Sequence, residues 1–401
     1  MLNLPKNIYV MSLVMSLSFT TTSMMVLVAG LLGASIAPDP SLATLPIAMT
    51  VVGTAIATIP AAMIMQAVGR KMGMAIGILI ALTGSGLAYY AAINSQFWLF
   101  IAGSMCFGFN AAFVQQGRFV ILENAIGEKQ QADGLTLALM ANLFAAFLGP
   151  QLGAYGRDLV ASPAGFAGSF ILAAGVLMAS MLALTFYQSL AKPIVDSKVS
   201  KRSLRSLLKQ PTFILAAGSA AVGYGVMALV MTATPISMHE FSGHSLDSTK
   251  LVIQTHIIAM FLPSMLTGKL LKLGYRSSLL FAGLALYIVV SIIGFGGIEV
   301  VHYWWALLLL GLGWNLLFVT STAILPSAYT NEERFKAQAA NDFLIFSVQA
   351  IAAFAAGWLL FNWGWTSILK IAVLISCAWI LILLSMKYKL DRSGSSIRAK
   401  G

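Results

Sequence analysis

The stretch G-F-N-A-A-F runs from Gly108 to Phe113, and a second stretch, G-W-N-L-L-F, runs from Gly313 to Phe318. The offset between them is 205 residues (313 − 108) in a chain of 401. Both stretches lie inside long apolar runs, where an Asn side chain is costly unless it finds a hydrogen-bond partner. The same polar residue in both halves predicts a duplicated membrane protein with a polar site between the halves.

The composition excludes a soluble protein. Apolar residues make up 59% of the chain and charged residues only 9%, whereas a soluble domain has about 45–50% and about 25%. This much apolar surface requires a bilayer as solvent. The two cysteines, Cys106 and Cys377, both fall in apolar runs, which argues against a disulfide framework or a cysteine metal site. We expect no metal and no cofactor.

Twelve apolar runs reach the roughly 20 residues that a membrane-spanning helix needs. A basic segment divides them into two sets of six. We therefore predict an all-α integral membrane protein with an N-terminal bundle (1–190), a basic linker (191–211), a C-terminal bundle (212–390) and a tail (391–401). The predicted spans 1 to 12 are 8–33, 42–66, 72–94, 97–122, 134–156, 166–189, 212–236, 249–271, 277–297, 303–327, 341–361 and 366–388.

The distribution of Lys and Arg predicts the orientation. With the N-terminus in the cytoplasm, all of the 24 basic residues except Arg118, Arg157, Lys250 and Lys370 fall in cytoplasmic segments. The positive-inside rule then places both termini in the cytoplasm. The concentration of Lys and Arg on the cytoplasmic side accounts for the net charge of +11. We therefore expect anionic membrane lipids as partners and no nucleic acid.

The duplication extends beyond the Asn motif. Span 2 ends in I-P-A-A-M-I-M-Q-A-V-G-R-K, and span 8 ends in L-P-S-M-L-T-G-K-L-L-K-L-G-Y-R. Pro60 and Pro263 are offset by 203 residues (263 − 60), close to the offset of the Asn motif. Two matches in the same order support an internal repeat.

The twelve spans, the division into two sets of six and the G-R-K loop after span 2 resemble the major facilitator superfamily, within a group common among bacterial members. This resemblance implies that the chain lies in the inner membrane of a bacterial cell. The loop after span 2 in that family reads roughly G-x-x-x-D-x-x-G-R-[KR]. Here Gly69, Arg70 and Lys71 match, while Ala62 and Gln66 replace the leading Gly and the Asp. The resemblance implies a cytoplasmic gate formed by Gln66, Gly69, Arg70 and Lys71, weakened by the missing carboxylate.

Span 5 resembles the antiporter motif of exporters in the same family. It reads A-x-x-x-G-P-x-x-G at Ala145, Gly149, Pro150 and Gly153, with Ala in place of the first Gly. We expect this sequence to kink span 5 and to pack closely against span 8. The Arg that exporters often carry in span 4 is absent, because Ser104 stands there. The motif favours export, and the missing Arg leaves nutrient import open.

Ionisable side chains inside spans are candidates for coupling, since a charge at the bilayer centre costs about 2.5–3.5 kcal/mol on insertion scales. Each has a structural alternative. Arg118 could pair with Glu123 or Asp342, Glu123 with Arg70, Asp342 could cap a helix, and His256 could form an interhelical hydrogen bond. The coupling candidates are Arg118, Glu123, His256 and Asp342.

The family resemblance implies that spans 4 and 10 line a central cavity. Asn110 and Asn315 would then face each other across it. The other predicted cavity residues are polar, aromatic or soft apolar side chains, a mixture that suits an amphiphilic organic solute. They are Trp314, Gln115, Arg118, Tyr224, Met231 and Thr20.

The chain has no G-x-x-x-x-G-K-[ST] phosphate loop, so transport would be secondary. We predict a monomeric transporter that moves a small organic solute by alternating access of its two halves, as a proton-coupled exporter. The alternative is a proton-coupled importer of a nutrient or vitamin. A more distant alternative is a non-transporting receptor or scaffold with a closed cavity. An enzyme is not expected.

Overall fold

The protein is helical throughout the residues that its computed structural model describes, which are 4–188, 203–330 and 333–398. Within this described part of the chain, twelve helices are long and apolar enough to cross a membrane, which confirms the predicted all-α membrane architecture. Residues 191–202 of the predicted linker (191–211) lie outside the described residues, and the described remainder contains a short helix, Leu204–Leu208.

The first half contains α1 to α6 and the second half α7 to α12, and each helix corresponds to the predicted span of the same number. The bounds in the first half are Lys6–Ile36, Leu45–Val68, Arg70–Asn94, Phe97–Asn124, Gly127–Gly156 and Ala167–Thr185. Those in the second half are Pro211–Ile236, Leu246–Phe261 continued by Ser264–Lys272, Arg276–Phe295, Val300–Ile324, Arg334–Trp363 and Trp365–Arg398.

The two aligned prolines affect their helices differently. Proline has no N–H to donate and its ring clashes with the preceding turn. In α8 the helix is interrupted at Leu262 and Pro263 before it resumes at Ser264. In α2, by contrast, Pro60 lies inside one continuous helix. The repeat that the sequence predicts is therefore only approximate in structure.

A single glycine forms the turn between α2 and α3. Gly69 has a φ of +90°, a left-handed conformation that strains residues with a Cβ atom. Because no other residue separates the two helices, Arg70 and Lys71 become the first residues of α3. Backbone geometry thus fixes the positions of both cations.

Each half has its own core. Side chains such as Met24, Phe100 and Phe107 form the core of the first half, and Leu284 and Tyr287 belong to that of the second. A smaller cluster that includes Val51, Ala220 and Phe346 joins the halves. In a bilayer these cores are stabilised mainly by close van der Waals packing rather than by exclusion of water.

The two halves meet closely at one end of the molecule. There the backbone N–H of Gly357 in α11 donates to the hydroxyl of Thr44, which precedes α2, over 3.1 Å. Gly30 of α1 also lies against Pro235 and Ile236 of α7. We call this the Thr44 end. At the other end, named the Arg70 end after the first residue of α3, a cavity opens between α2, α4 and α11.

Candidate substrate site and gate

The cavity at the Arg70 end has a volume of about 600 Å³, within the range of about 300–1,000 Å³ that is usual for small-molecule sites. Its walls are mostly apolar, with amide and charged groups at intervals. Such a lining can hold a solute with an apolar body and polar edges. The polar lining residues are Thr58, Gln66, Arg70, Gln116, Glu123, Gln338 and Asp342.

An ion pair joins the two halves beside this cavity. Arg118 of α4 donates from Nη2 to Oδ2 of Asp342 in α11 over 3.2 Å. The other carboxylate oxygen of Asp342 accepts a 3.0 Å hydrogen bond from the amide of Asn341. The Nε–H of Arg118 is buried and has no hydrogen-bond partner in the described parts of the chain. The guanidinium therefore keeps a donor that a ligand can use.

Asp342 lies well inside its helix. Because α11 begins at Arg334, Asp342 is about two turns from the helix start. The interpretation of Asp342 as a residue that opens and caps this helix is wrong. The carboxylate is instead held by the charge of Arg118 in the opposite half.

Aromatic rings converge next to this ion pair and form what we call the aromatic cluster. Trp314 stacks on Phe318 with ring centroids 4.8 Å apart and planes 22° apart. Tyr224 meets Trp314 edge-on at 5.1 Å and also contacts Phe346, which follows Asp342 by one turn of α11. The members are Phe19, Tyr224, Phe261, Trp314, Phe318 and Phe346.

The aromatic cluster spans both halves and contains an unused donor. The ring of Phe19 in α1 meets that of Phe261 in α8 at 5.6 Å, and Phe261 contacts Trp314. The indole N–H of Trp314 is buried and has no hydrogen-bond partner among the residues described. Sequence analysis named Tyr224 and Trp314 but missed Phe318, although it is the last residue of the quoted motif.

The two motif asparagines have different environments. The Asn315 side chain is fully buried and donates to the Met260 carbonyl and to the Ser264 hydroxyl, each over 2.7 Å. Its amide oxygen accepts from the Thr267 hydroxyl over 2.7 Å. All these partners belong to α8, on both sides of its interruption. Asn315 thus binds the two segments of α8 to α10.

Asn110 is also fully buried, but neither its amide nitrogen nor its oxygen has a partner among the described residues. It shares a helix face with Cys106 and Phe113, which lie against Gly84 and Gly77 of α3. Asn110 therefore packs within the first half. The expectation that Asn110 and Asn315 face each other across a cavity is wrong.

The glycines of the motif explain this difference. Gly108 packs against Thr50 and Thr54 of α2, the second helix of its half, whereas Gly313 packs against Tyr287 of α9, the third helix of its half. Gly311 is the residue that packs against α8, at His256. Gly108 is thus equivalent to Gly311, at an offset of 203 residues (311 − 108), the same as that of the two prolines.

The predicted gate residues bind within the first half. Arg70 donates from Nε to Oε2 of Glu123 over 3.1 Å and from Nη2 to the other carboxylate oxygen. Lys71 donates to the carbonyl of Thr185, the last residue of α6, and to that of Tyr187 just beyond it. Gln66 and Arg70 line the cavity shared with α11, but among the described residues neither is bonded to the second half. At the Arg70 end, it is Arg118 that reaches across to the second half.

The Gly149-Pro150 motif of α5 packs against α1, whereas the sequence predicted packing against α8. Cβ atoms at Gly149 and Gly153 would meet Thr20, Met24 and Val28 of α1, so the expected packing of these glycines on α8 is wrong. The contact to α8 occurs at another face. There the amide of Gln254 donates to the Phe147 carbonyl over 2.7 Å, near the turn that Pro150 weakens.

Four residues that the sequence predicted as coupling or cavity residues remain to be placed. The His256 ring is fully buried and its Nδ1 pairs with the Leu307 carbonyl at 2.9 Å, an interhelical bond from α8 to α10. The Thr20 hydroxyl donates to the Ser16 carbonyl within α1, and Met231 is buried in the core of the second half. Gln115 is half-buried in α4.

Comparison with known proteins agrees with this architecture. The Major Facilitator Superfamily model matches residues 10–339, and the chain belongs to this family of membrane transporters. The chain is 36% identical over 368 residues to the riboflavin transporter RfnT of Brucella anthropi, with 90% of this chain and 91% of that protein covered. As its relatives are transporters, this protein is not an enzyme.

Two solved structures share the fold. The human organic anion transporter MFSD10 superposes with a TM-score of 0.67 at 15% identity, over 94% of this chain and all of that one. A bacterial homologue of the human lysosomal transporter Spinster, in an inward-facing and occupied conformation, superposes with a TM-score of 0.70 at 11% identity, over 96% of each chain. At these identities the likeness concerns the fold alone.

Proposed function

We propose that this protein transports riboflavin or a similarly flat, polar heteroaromatic vitamin across the bacterial inner membrane. The observation that carries the proposal is the aromatic cluster beside the Arg118–Asp342 ion pair, whose carboxylate lines a cavity of suitable volume. The relationship to a riboflavin transporter over nearly the whole length of both chains supports the choice of solute.

The chemistry of the site matches a flavin. A fused tricyclic ring gains most from stacking on indole and phenol rings, which Trp314 and Tyr224 supply. Its carbonyl-rich edge needs donors, and the Nε–H of Arg118 and the indole N–H of Trp314 have no acceptor in the described parts of the chain. The hydroxyl groups of a ribityl chain can bind the side-chain amides of Gln66 and Gln338.

The ion pair between the halves is the proposed coupling device. A proton on Asp342 removes the charge that holds Arg118 of the opposite half. The guanidinium is then free to bind the solute, and the halves are free to rock about the site, as alternating access requires. With the Arg70 end in the cytoplasm and each chain acting as a monomer, the cavity faces inward.

Import with protons is the proposed direction, since a vitamin is a nutrient for the cell. Export remains the second candidate function because one observation favours it. The Gly149-Pro150 sequence of α5, which resembles an antiporter motif, packs tightly on α1 beside Thr20.

Uptake into proteoliposomes tests solute, direction and coupling together. Purified protein is reconstituted, labelled riboflavin is added outside, and a pH gradient is imposed in each direction, with protein-free vesicles as control. Proton-coupled import predicts accumulation with an acidic exterior. Proton-coupled export predicts accumulation with an acidic interior, independent of how the protein is oriented. Equal uptake under both gradients would exclude proton coupling, and no uptake or counterflow under any condition would refute riboflavin as solute.

A further inference from the structure

A second cavity, of about 460 Å³, lies at the Arg70 end of the second half. It is enclosed by the first turns of α7 and α9, the end of α10 and the last part of α12. It shares no lining residue with the cavity between the halves. The proposed transport cycle does not use it.

This cavity is polar at its mouth and apolar inside. Arg276 and Ser277 at the start of α9 and Ser327 after α10 are exposed. Deeper in, Leu280 and Leu383 are almost fully buried. Water in such an apolar interior would find too few hydrogen-bond partners. The arrangement suits an occupant with an anionic head and an apolar tail.

The corresponding place in the first half is closed by the protein itself. Arg70 begins α3 as Arg276 begins α9, but Arg70 is paired with Glu123. The amide of Asn7 bonds to Asn124, whose own amide bonds to the hydroxyl of the buried Tyr187. That burial also raises the pKa of the Tyr187 hydroxyl above its ordinary value.

The second half lacks these closing groups. Arg276 has no ion-pair or hydrogen-bond partner in the part of the chain that the structure describes. The end of α10 carries Pro326, Ser327 and Ala328 where the end of α4 carries a carboxylate. Two exposed cations, Arg205 and Lys209, lie just before α7. Positive charge therefore surrounds an open, apolar slot.

We propose that this cavity binds one anionic phospholipid. Its phosphate is held by Arg276 with the hydroxyls of Ser277 and Ser327, and an acyl chain lies against Leu280 and Leu383. A cation at the membrane surface attracts anionic lipids at short range, and the slot supplies the apolar contact that a bare surface patch lacks. The lipid thus takes the place that Tyr187 and its polar partners fill in the first half.

Native mass spectrometry of the detergent-purified protein tests this site. Phosphatidylglycerol and phosphatidylcholine with identical acyl chains are titrated separately, and inorganic phosphate serves as a third probe. We expect one phosphatidylglycerol to be retained in preference to phosphatidylcholine. Arg276→Gln should weaken its retention about fivefold, the loss expected for one cation at an anionic surface, while Lys269→Gln at an exposed position on α8 should leave it unchanged.

The second part of the test uses a variant that fills the cavity without changing its charge. Leu215→Trp places a larger side chain in the apolar wall and should reduce phosphatidylglycerol retention, with its lipid-free melting temperature as the check on folding. Equal retention of both lipids, equal losses in Arg276→Gln and Lys269→Gln, or undiminished retention in a folded Leu215→Trp protein would each overturn the proposal. So would binding of inorganic phosphate that displaces the lipid.

Discussion

Asn110 and Asn315 are both fully buried in six-residue motifs of the same pattern, yet among the described residues Asn110 has no hydrogen-bond partner and Asn315 forms three hydrogen bonds. Asn315 has partners because α8 is interrupted at Pro263, which exposes a backbone carbonyl and brings two hydroxyls near. Since α2 is continuous, it offers nothing equivalent to Asn110. The difference teaches that a repeated motif need not mark a repeated site.

The halves also differ in where they place charge. The first half carries Arg118 and Glu123 near the end of α4, and the matching end of α10 is uncharged. The second half contributes Asp342 and most of the aromatic cluster. The proposed site is therefore asymmetric, with a cation from one half and a carboxylate with aromatic rings from the other.

The largest expected effect concerns transport and the ion pair between the halves. Arg118→Gln and Asp342→Asn should each lower riboflavin transport about tenfold or more, because a lost hydrogen bond to a charged group typically costs about 1.5–3 kcal/mol. Asp247→Asn is the matched control, since its bond to Lys250 lies within one helix and Asp247 is exposed. If Arg118→Gln transports as well as the Asp247→Asn control, the asymmetric site is wrong.

The next effect tests the structural register of the repeat. Gly108→Ala and Gly311→Ala should each lower the free energy of unfolding by about 1–3 kcal/mol, since both place a methyl group against helix backbone. Gly86→Ala in α3 is the control, because nothing lies near its Cβ position. Thermal melting in detergent measures all three. A Gly311→Ala variant that melts at the same temperature as the unaltered protein would contradict the equivalence of Gly108 and Gly311.

Asn315→Ala should lower the free energy of unfolding by about 1–3 kcal/mol, because it leaves buried polar groups of α8 without a partner. Asn362→Ala, at an exposed position near the end of α11, removes a hydrogen bond to a nearby carbonyl and should have little effect. The comparison uses the same thermal melting. Equal melting temperatures for the two variants would contradict the role of Asn315 in holding α8.

The smallest effect is expected at Asn110. Asn110→Leu replaces an amide that has no partner among the described residues with an apolar group of similar size. The free energy of unfolding should therefore stay the same or rise by up to about 1 kcal/mol. Transport of riboflavin should also be retained. A loss as large as that in Asn315→Ala would show that Asn110 has a partner, and would restore the symmetry of the two motifs.

Much of the fold could be predicted from the sequence because a bilayer imposes length and composition on every span. The twelve helices were predicted from the sequence, and the observed ion-pair partners of Arg70 and Arg118 were among the pairings that it suggested. These features depend on local sequence, or on a few charges that have few partners in an apolar chain.

The helix faces could not be predicted. When nearly every residue of a span is apolar, no stripe of polar residues shows which side meets which neighbour. A shift of two residues turns a side chain through more than half of a helical turn, so an offset of 205 instead of 203 reverses the face on which Asn110 lies. The same ambiguity hid the packing of Gly149 on α1.

Equilibrium binding of riboflavin, followed by quenching of its own fluorescence, tests the central claim most directly. A flavin stacked on an indole ring loses its emission, so titration with the purified protein should quench it. Trp314→Leu should abolish this quenching, whereas Trp358→Leu, at an exposed position on α11, should retain it. Quenching that is equal in the two variants, or absent from the unaltered protein, would contradict a solute site in the aromatic cluster.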